Sequence, residues 1–322
     1  MKLKRIAIAF LAGTLGLVSV GASAQDNAPV RIVVPFAAGG PNDVVARLAA
    51  AAMAGPLGKN IIVENKPGAT GAIGSQLVAD SKPDGLTMLL ASSSTMMSPL
   101  LLSSVRFDPL KDFVPVDLIA ADENLLVVHP SVPAKSVKEL IDLARAKPGV
   151  LNYSTSGMGS SYHLGTELFN SQLGIQMTHV PYKGSAPAVL GLISGQVDVQ
   201  FQAISQAKPQ LEAGKERPLA IASLTRHPDF PNIPTVAEAA DLPGFEFATW
   251  MGLFLPAGTP QAEVDRLRAA LRTAAQSPEM RKRLSELGMR PLSQEPDAIM
   301  DRIAGDLKKW GALIKERGIT VE

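Results

Sequence analysis

Cysteine is absent from the 322 residues. That removes disulfide staples, thiolate nucleophiles and cysteine-bound metal at once, so a full-sized apolar core must hold the fold. Histidine is nearly as scarce. His129, His163, His179 and His227 have no close spacing of the kind that gathers metal ligands, so no metal and no other cofactor is expected. Neither charge sign dominates, with 31 basic against 30 acidic side chains, which gives nucleic acid no electrostatic footprint. A Gly-x-Ser-x-Gly elbow and a Gly-Lys-Ser/Thr phosphate loop are both missing, and no catalytic residue is expected. Beyond the first 24 residues no apolar run is long enough to span a bilayer.

What is present begins with an export pattern. Met1-Lys2-Leu3-Lys4-Arg5 is followed by apolar residues 6–20 and by Ala22-Ser23-Ala24. A charged start, a short apolar stretch and a small-residue cleavage site predict a signal peptide over residues 1–24, cleaved after Ala24. The apolar stretch is short of the ~20 residues a membrane anchor needs. Without a cysteine at the cleavage site no lipid anchor follows, and the mature chain is expected free in the periplasm. Loss of Lys2, Lys4 and Arg5 leaves 28 basic against 30 acidic residues, a formal charge of −2.

From Val30 the chain alternates β-branched runs with helical patterns, which predicts an α/β fold with mostly parallel strands. Strands are expected at 31–35, 60–64 and 87–91, with helices from Asp43 and Gly71 between them. A second unit has strands at 125–129, 151–154, 177–180, 197–201 and 219–223, with a helix opened by the Ser136/Glu139 capping box. After a strand ending at Phe254, helices start near Pro260, Pro278 and Pro296, the last two stopped by Gly288 and Gly318. Similar size without sequence repetition suggests a discontinuous arrangement. Lobe one would comprise 25–122 and 246–322, lobe two 123–245, with extended crossings near 119–124 and 244–248 as a two-crossing hinge. Ligands in open α/β sheets sit beyond the carboxyl ends of strands.

Two strand-ending loops carry the chemistry. Phe36-Ala37-Ala38-Gly39-Gly40 exposes backbone N–H groups before a helix capped by Asn42 or Asp43, a geometry suited to an anion; the plain alternative is a strand-to-helix turn. Ser154 to His163 repeats the design, with Ser156, Gly157, Gly159, Ser160 and Ser161 as donors and His163 either a contact or a helix residue. Gly157 and Gly159 lack the third glycine of a dinucleotide loop. Ser92 and Ser93 end a strand and offer hydroxyls to the same cleft. Tyr182, beside Lys183, faces it or packs. Residues 65–71 form a glycine-rich helix entry whose role is either a turn or a cleft contact.

Taken together, Val34-Pro35-Phe36 with Gly39-Gly40 and Asp43, Glu64-Asn65-Lys66-Pro67-Gly68-Ala69 with Gly71, residues 157–163, Val180-Pro181-Tyr182-Lys183-Gly184, Gly195-Gln196-Val197-Asp198 and Pro256-Ala257-Gly258-Thr259-Pro260 resemble the Bug-type extracytoplasmic receptors of tripartite tricarboxylate transporters. The resemblance runs from about Val30 to Gly318. It implies a two-lobed type II periplasmic-binding fold that closes on a small carboxylate held by backbone amides at Phe36, Ala37, Ala38, Gly39 and Asp43, with the opposing lobe contributing residues 156–163. It also implies inner-membrane transporter subunits as partners and a monomeric receptor. A sensing receptor without a transporter and a periplasmic hydrolase are the competing readings.

One departure from the family pattern stands out. Many relatives carry an aspartate where this chain has Gln202. An amide there cannot pair with an ammonium, and an unpaired buried ammonium is costly, so a dicarboxylate, hydroxy acid or aromatic acid is expected rather than an amino acid. No arginine falls in these segments. Phe36, Phe201 and Trp250 are the candidate aromatic walls, each equally suited to the core.

Overall fold

The computed structural model describes residues 28–320; the expected export signal lies outside the described residues. β1 (Val30–Val34) runs parallel to β2 (Ile61–Asn65) on one side and to β3 (Thr87–Ser92) on the other. β3 is buried throughout and β1 nearly so, which is why both read as almost unbroken apolar runs rather than alternating ones. The crossovers are α1 (Pro41–Leu57) and α2 (Ala72–Ala79).

The chain's longest strand, β4 (Phe113–Val128), joins two groups of strands. Its first part pairs antiparallel with β9 (Ala248–Pro256), itself antiparallel to β3, and with the short β10 (Arg290–Pro291). Its second part pairs antiparallel with β7 (Val199–Ala203) and β8 (Arg217–Ile221). Beyond β7 lie β5 (Asn152–Thr155) and β6 (Thr178–Pro181), parallel to each other. The change of partner falls at 122–124: Asp122 faces Thr249 and Glu123 faces Ala248, whereas Asn124 faces Ala203. The chain returns through Phe247, whose N–H donates to Ala222 O (3.1 Å) and whose carbonyl accepts from Asn124 Nδ2 (2.9 Å). Extended chain at both crossings was expected; a single strand beginning at Phe113 was not. Pro115 and Asp117 break its pattern, and the ladder slips in register between Pro115 and Asp117 and again between Leu118 and Ala120.

Helices cover both faces of each strand group, as a doubly wound fold requires. α1 packs with α9 (Gln261–Gln276) and α10 (Pro278–Glu286) through Val45, Ala49, Met53, Leu267 and Leu284. On the other group, α4 (Val137–Ala146) and α5 (Ser161–Leu173) bury Leu140, Leu164 and Phe169 against Phe201 and Phe245. α6 (Ser185–Ile193) and α7 (Ile204–Glu212) cover the opposite face with Leu192, Ile204 and Ala207. The Ser136 cap forms as predicted, its Oγ accepting from Glu139 N–H at 3.2 Å; Glu139, however, accepts from Lys135 N–H.

The last helix, α11 (Pro296–Arg317), touches both groups. Ile299 and Ile303 pack with Phe113 and Trp250, while Trp310 and Leu313 join the cluster of Phe169 and Phe245. Arg317 pairs with Glu167 at 2.7 Å, and Lys309 donates to Glu246 O at 2.7 Å.

Candidate functional site

The strand-ending loops of both groups open on one cleft of about 690 Å³. From the first loop it is lined by Phe36, Ala37, Ala38 and Gly39, and from the second by Ser156, Ser160 and Ser161. Seven of the residues singled out in the sequence thus meet across a common space. The cleft also takes in Thr70, Ser94, Asp122, Tyr162, Lys183 and Thr249.

The first loop owes its shape to Asp43. This buried carboxylate accepts from Gly39 N–H (2.9 Å), Arg47 Nε (3.0 Å) and Asn65 Nδ2 (2.9 Å), and Asn65 also donates to Phe36 O at 3.1 Å. Burial alone would raise its pKa; the Arg47 guanidinium and the Gly39 and Asn65 donors hold it below the usual carboxylate range. Asp43 therefore shapes the loop from behind and does not line the cleft. Nor does it cap the helix: Pro41 is the first residue of α1, Gly40 stands at the cap, and Asn42 Oδ1 is buried without a partner. Gly39 has φ +81°, which a side chain rarely adopts, and its N–H is tied to Asp43. Ala37 and Ala38 line the cleft, and their N–H groups meet no acceptor among the described residues. Residues 65–71 do both jobs weighed for them: Asn65 braces the loop and Thr70, at φ 53°, lines the cleft.

The second loop is more self-contained than its sequence suggests. Gly159 N–H donates to His163 Nδ1 (3.1 Å), Gly157 N–H to Thr155 Oγ1 (3.2 Å) and Ser160 N–H to Gly157 O (3.3 Å). Gly157 and Gly159 are thus fold-forming, and neither lines the cleft. His163 is buried and stacked on His179 with ring centroids 4.0 Å apart; burial pushes the pKa of both imidazoles down, that of His179 to about 4. Ser160 caps α5 by accepting from His163 N–H, which leaves the first turn of α5, at Ser161 and Tyr162, facing the cleft.

Four further sequence candidates lie elsewhere. Ser92 is fully buried and engaged with Ser94 and Thr95 at 3.1 Å each; Ser94 reaches the cleft in its place. Ser93 lines a separate crevice beside Trp250 and Trp310. Tyr182 packs beside Gly191, its hydroxyl donating to Gln196 Oε1 at 3.4 Å. Gln202 is 1 % exposed and donates to Glu216 Oε2 at 2.5 Å, so it contributes no atom to the cleft and has no hand there in ligand charge. Of the aromatic candidates, Phe36 lines the cleft, Phe201 sits in the core against Phe169 and Phe247, and Trp250 donates to Asp306.

Burial pushes the Glu216 carboxyl up to about 7, the Gln202 donor only partly opposing it. The folded value exceeds the unfolded one, so as pH rises from about 4.5 to 7 the unfolded chain loses this proton first and Glu216 withdraws stability. Glu216→Gln is expected to raise the melting temperature at pH 8, by up to about 3 kcal/mol of stability, and to leave it unchanged near pH 4. Thermal melts at the two pH values check this.

Electrostatically the cleft is sparse. No arginine lines it, Lys183 is exposed, and Asp122, 2 % exposed, is its one buried charge. Burial raises the Asp122 carboxyl to about 7, partly offset by the Ser205 hydroxyl and N–H, while Glu123 adds to the rise. Among the described residues no three His, Asp or Glu side chains gather as metal ligands, and no helix is long and apolar enough to cross a membrane. The constellation suits reversible capture of an anion by N–H groups and hydroxyls.

Known proteins share this architecture. The model of the tripartite tricarboxylate transporter family receptor matches residues 45–319. A protein of Pseudomonas sp. strain P51, described only as a UPF0065 protein in the tcbD-tcbE intergenic region, is 37 % identical over 288 residues, covering 89 % of this chain and 86 % of its own. Among solved structures, Rhodopseudomonas palustris Rpa4515 with adipate aligns at TM-score 0.81 and 36 % identity, covering 91 % of this chain and 98 % of that one. MatC from the same organism, with bound malate, aligns at TM-score 0.77 and 36 % identity over 89 % and 98 % of the two chains.

Proposed function

The chain belongs to the tripartite tricarboxylate transporter receptor family, and from that premise we propose that it captures a small carboxylate between two lobes in the periplasm and presents it to inner-membrane transporter subunits. The observation that carries this reading is the pair of opposed loops. Ala37 and Ala38 offer unengaged N–H groups, the first turn of α5 faces them, and the intervening volume suits a small organic acid. Phe36, Ala37, Ala38, Gly39, Ser156, Ser160 and Ser161 are the contacts we assign, with Ser94, Thr70 and Tyr162 added to them.

Of the described residues, we assign 28–122 with 246–320 to one lobe and 123–245 to the other. The hinge lies where β4 changes partners and where the chain returns at 244–248. α11 straps the two lobes together on the side of Trp310. Ligand binding favours the closed form to the extent that it contacts both lobes, a population shift rather than a chemical step. The ligand class we assign is a small organic acid; adipate and malate in the two R. palustris relatives support a dicarboxylate or a hydroxy acid. The receptor acts as a monomer after its signal is removed.

Native mass spectrometry of freshly purified protein tests the reading. A co-purified small organic acid is expected, and the same acid added back at a hundredfold excess over its Kd stabilises the fold by about 2.7 kcal/mol. Failure of every mono- and dicarboxylate to shift the melting temperature would overturn it.

A further inference from the structure

We propose that Asp122 and Thr249 form a second subsite in this cleft, one that binds an O–H or N–H donor carried by the ligand in addition to its carboxylate. The inference rests on the carboxylate-receptor reading above and deepens it by assigning the residues that distinguish one acid from another.

The two residues are Cα partners across β4 and β9, at the point where β4 leaves one strand group for the other, and both line the cleft. Each has a buried oxygen without a hydrogen-bond partner: Asp122 Oδ1 and Thr249 Oγ1. The second Asp122 oxygen accepts from Ser205 Oγ at 2.8 Å. A buried carboxylate oxygen without a donor is costly, and because both residues line the cleft a donor on the ligand can reach it.

The neighbours do not supply one. Arg290, from β10, is engaged with Glu123 Oε1 at 2.9 Å, and Glu123 is itself acidic. From α5, Tyr162 keeps its phenol protonated through burial and the Asp122 charge, but its hydroxyl makes no hydrogen bond to Asp122 Oδ1. From α7 come Ser205, already engaged, and the uncharged Gln206, which lines the cleft. Lys183 stands exposed, outside any ion pair among the described residues.

A ligand hydroxyl fits the pair in both directions, donating to Asp122 Oδ1 while accepting from the Thr249 hydroxyl. An ammonium fits through charge. Above its raised pKa Asp122 is an acceptor only, and an acid bearing neither group then leaves it unsatisfied. Gln202, buried away from the cleft, places no bar on an ammonium.

Calorimetric titration with three- to six-carbon carboxylates, each as parent acid, hydroxy derivative and amino derivative, tests the subsite. Wild type is expected to bind at least one substituted series about tenfold or more above its parent. Asp122→Ala should erase that preference, and Thr249→Val, a near-isosteric change, should reduce it. Asp122→Asn, which keeps an acceptor but not the charge, separates the sources: preference retained points to a hydroxyl, preference lost to an ammonium. A preference for unsubstituted acids, or one that survives both Asp122→Ala and Thr249→Val, overturns the subsite and leaves the receptor reading intact. Binding by no member of the panel overturns both.

Discussion

Gly39→Val is expected to weaken binding of the preferred acid by more than about 100-fold while the unliganded protein loses only about 1–2 kcal/mol of stability. The two effects separate because of where the new side chain goes. A Cβ at Gly39 meets nothing within 4 Å, so no core contact is broken. The φ of +81° is another matter: a β-branched residue there is strained by roughly 1–2 kcal/mol, and the backbone relieves the strain by rotating. Rotation draws the Gly39 N–H off Asp43 and turns the Ala37 and Ala38 amides away from the anion. Hydrogen bonds to a charged group contribute about 1.5–3 kcal/mol each, so losing one or two accounts for the factor of 100. Calorimetry and thermal melts on the same sample measure both quantities. Retained affinity would reduce the first loop to an ordinary turn.

The second large effect concerns stability rather than binding. Asp117, 1 % exposed, accepts from Leu118 N–H and Gln294 N–H at 2.8 Å each, from Ser293 Oγ at 2.8 Å and from Arg272 Nε at 2.9 Å. It fastens the segment between β10 and α11, and α9 through Arg272, to the first part of β4. Asp117→Ala strips four donors of their acceptor and leaves the partly covered guanidinium with Glu295 alone. The expected loss is about 3–5 kcal/mol, the range for breaking a buried pair. That corresponds to a melting temperature lower by roughly 10 °C. Urea melts should show a lower midpoint with an unchanged slope. A loss below about 1 kcal/mol would mean that the register slips of β4 hold without this anchor.

Asp117 also illustrates why part of the fold was hidden in the sequence. An aspartate two residues after a proline argues against a strand, yet Asp117 is tolerated in β4 because the surrounding segments bring it three donors from afar, beside the N–H of Leu118. α6 was missed for a related reason, since Pro187 and Gly191 dilute its helical pattern, and α7 carries Pro209 within it. The parallel strands and their crossovers were legible because β1 and β3, buried on both faces, are written as plain apolar runs. The loops of the site were legible as small-residue stretches at strand ends. Which of their atoms remain open was not. Gly159 N–H is taken by His163 Nδ1 and Gly39 N–H by Asp43, facts of three-dimensional closure that spacing does not reveal. Gln202 shows the same limit: its position along β7 suggested the cleft, whereas the side chain turns to buried Glu216. Asp122 gave no signal because it sits mid-strand, away from any strand-ending loop.

The most direct test of capture across the cleft is amide NMR of the mature protein titrated with the acid identified by mass spectrometry. Saturation is expected to shift the N–H resonances of Ala37 and Ala38 together with those of Ser161 and Tyr162, with one common dissociation constant. Shifts confined to one loop, or absent from both while the acid still binds, would contradict a carboxylate held between them.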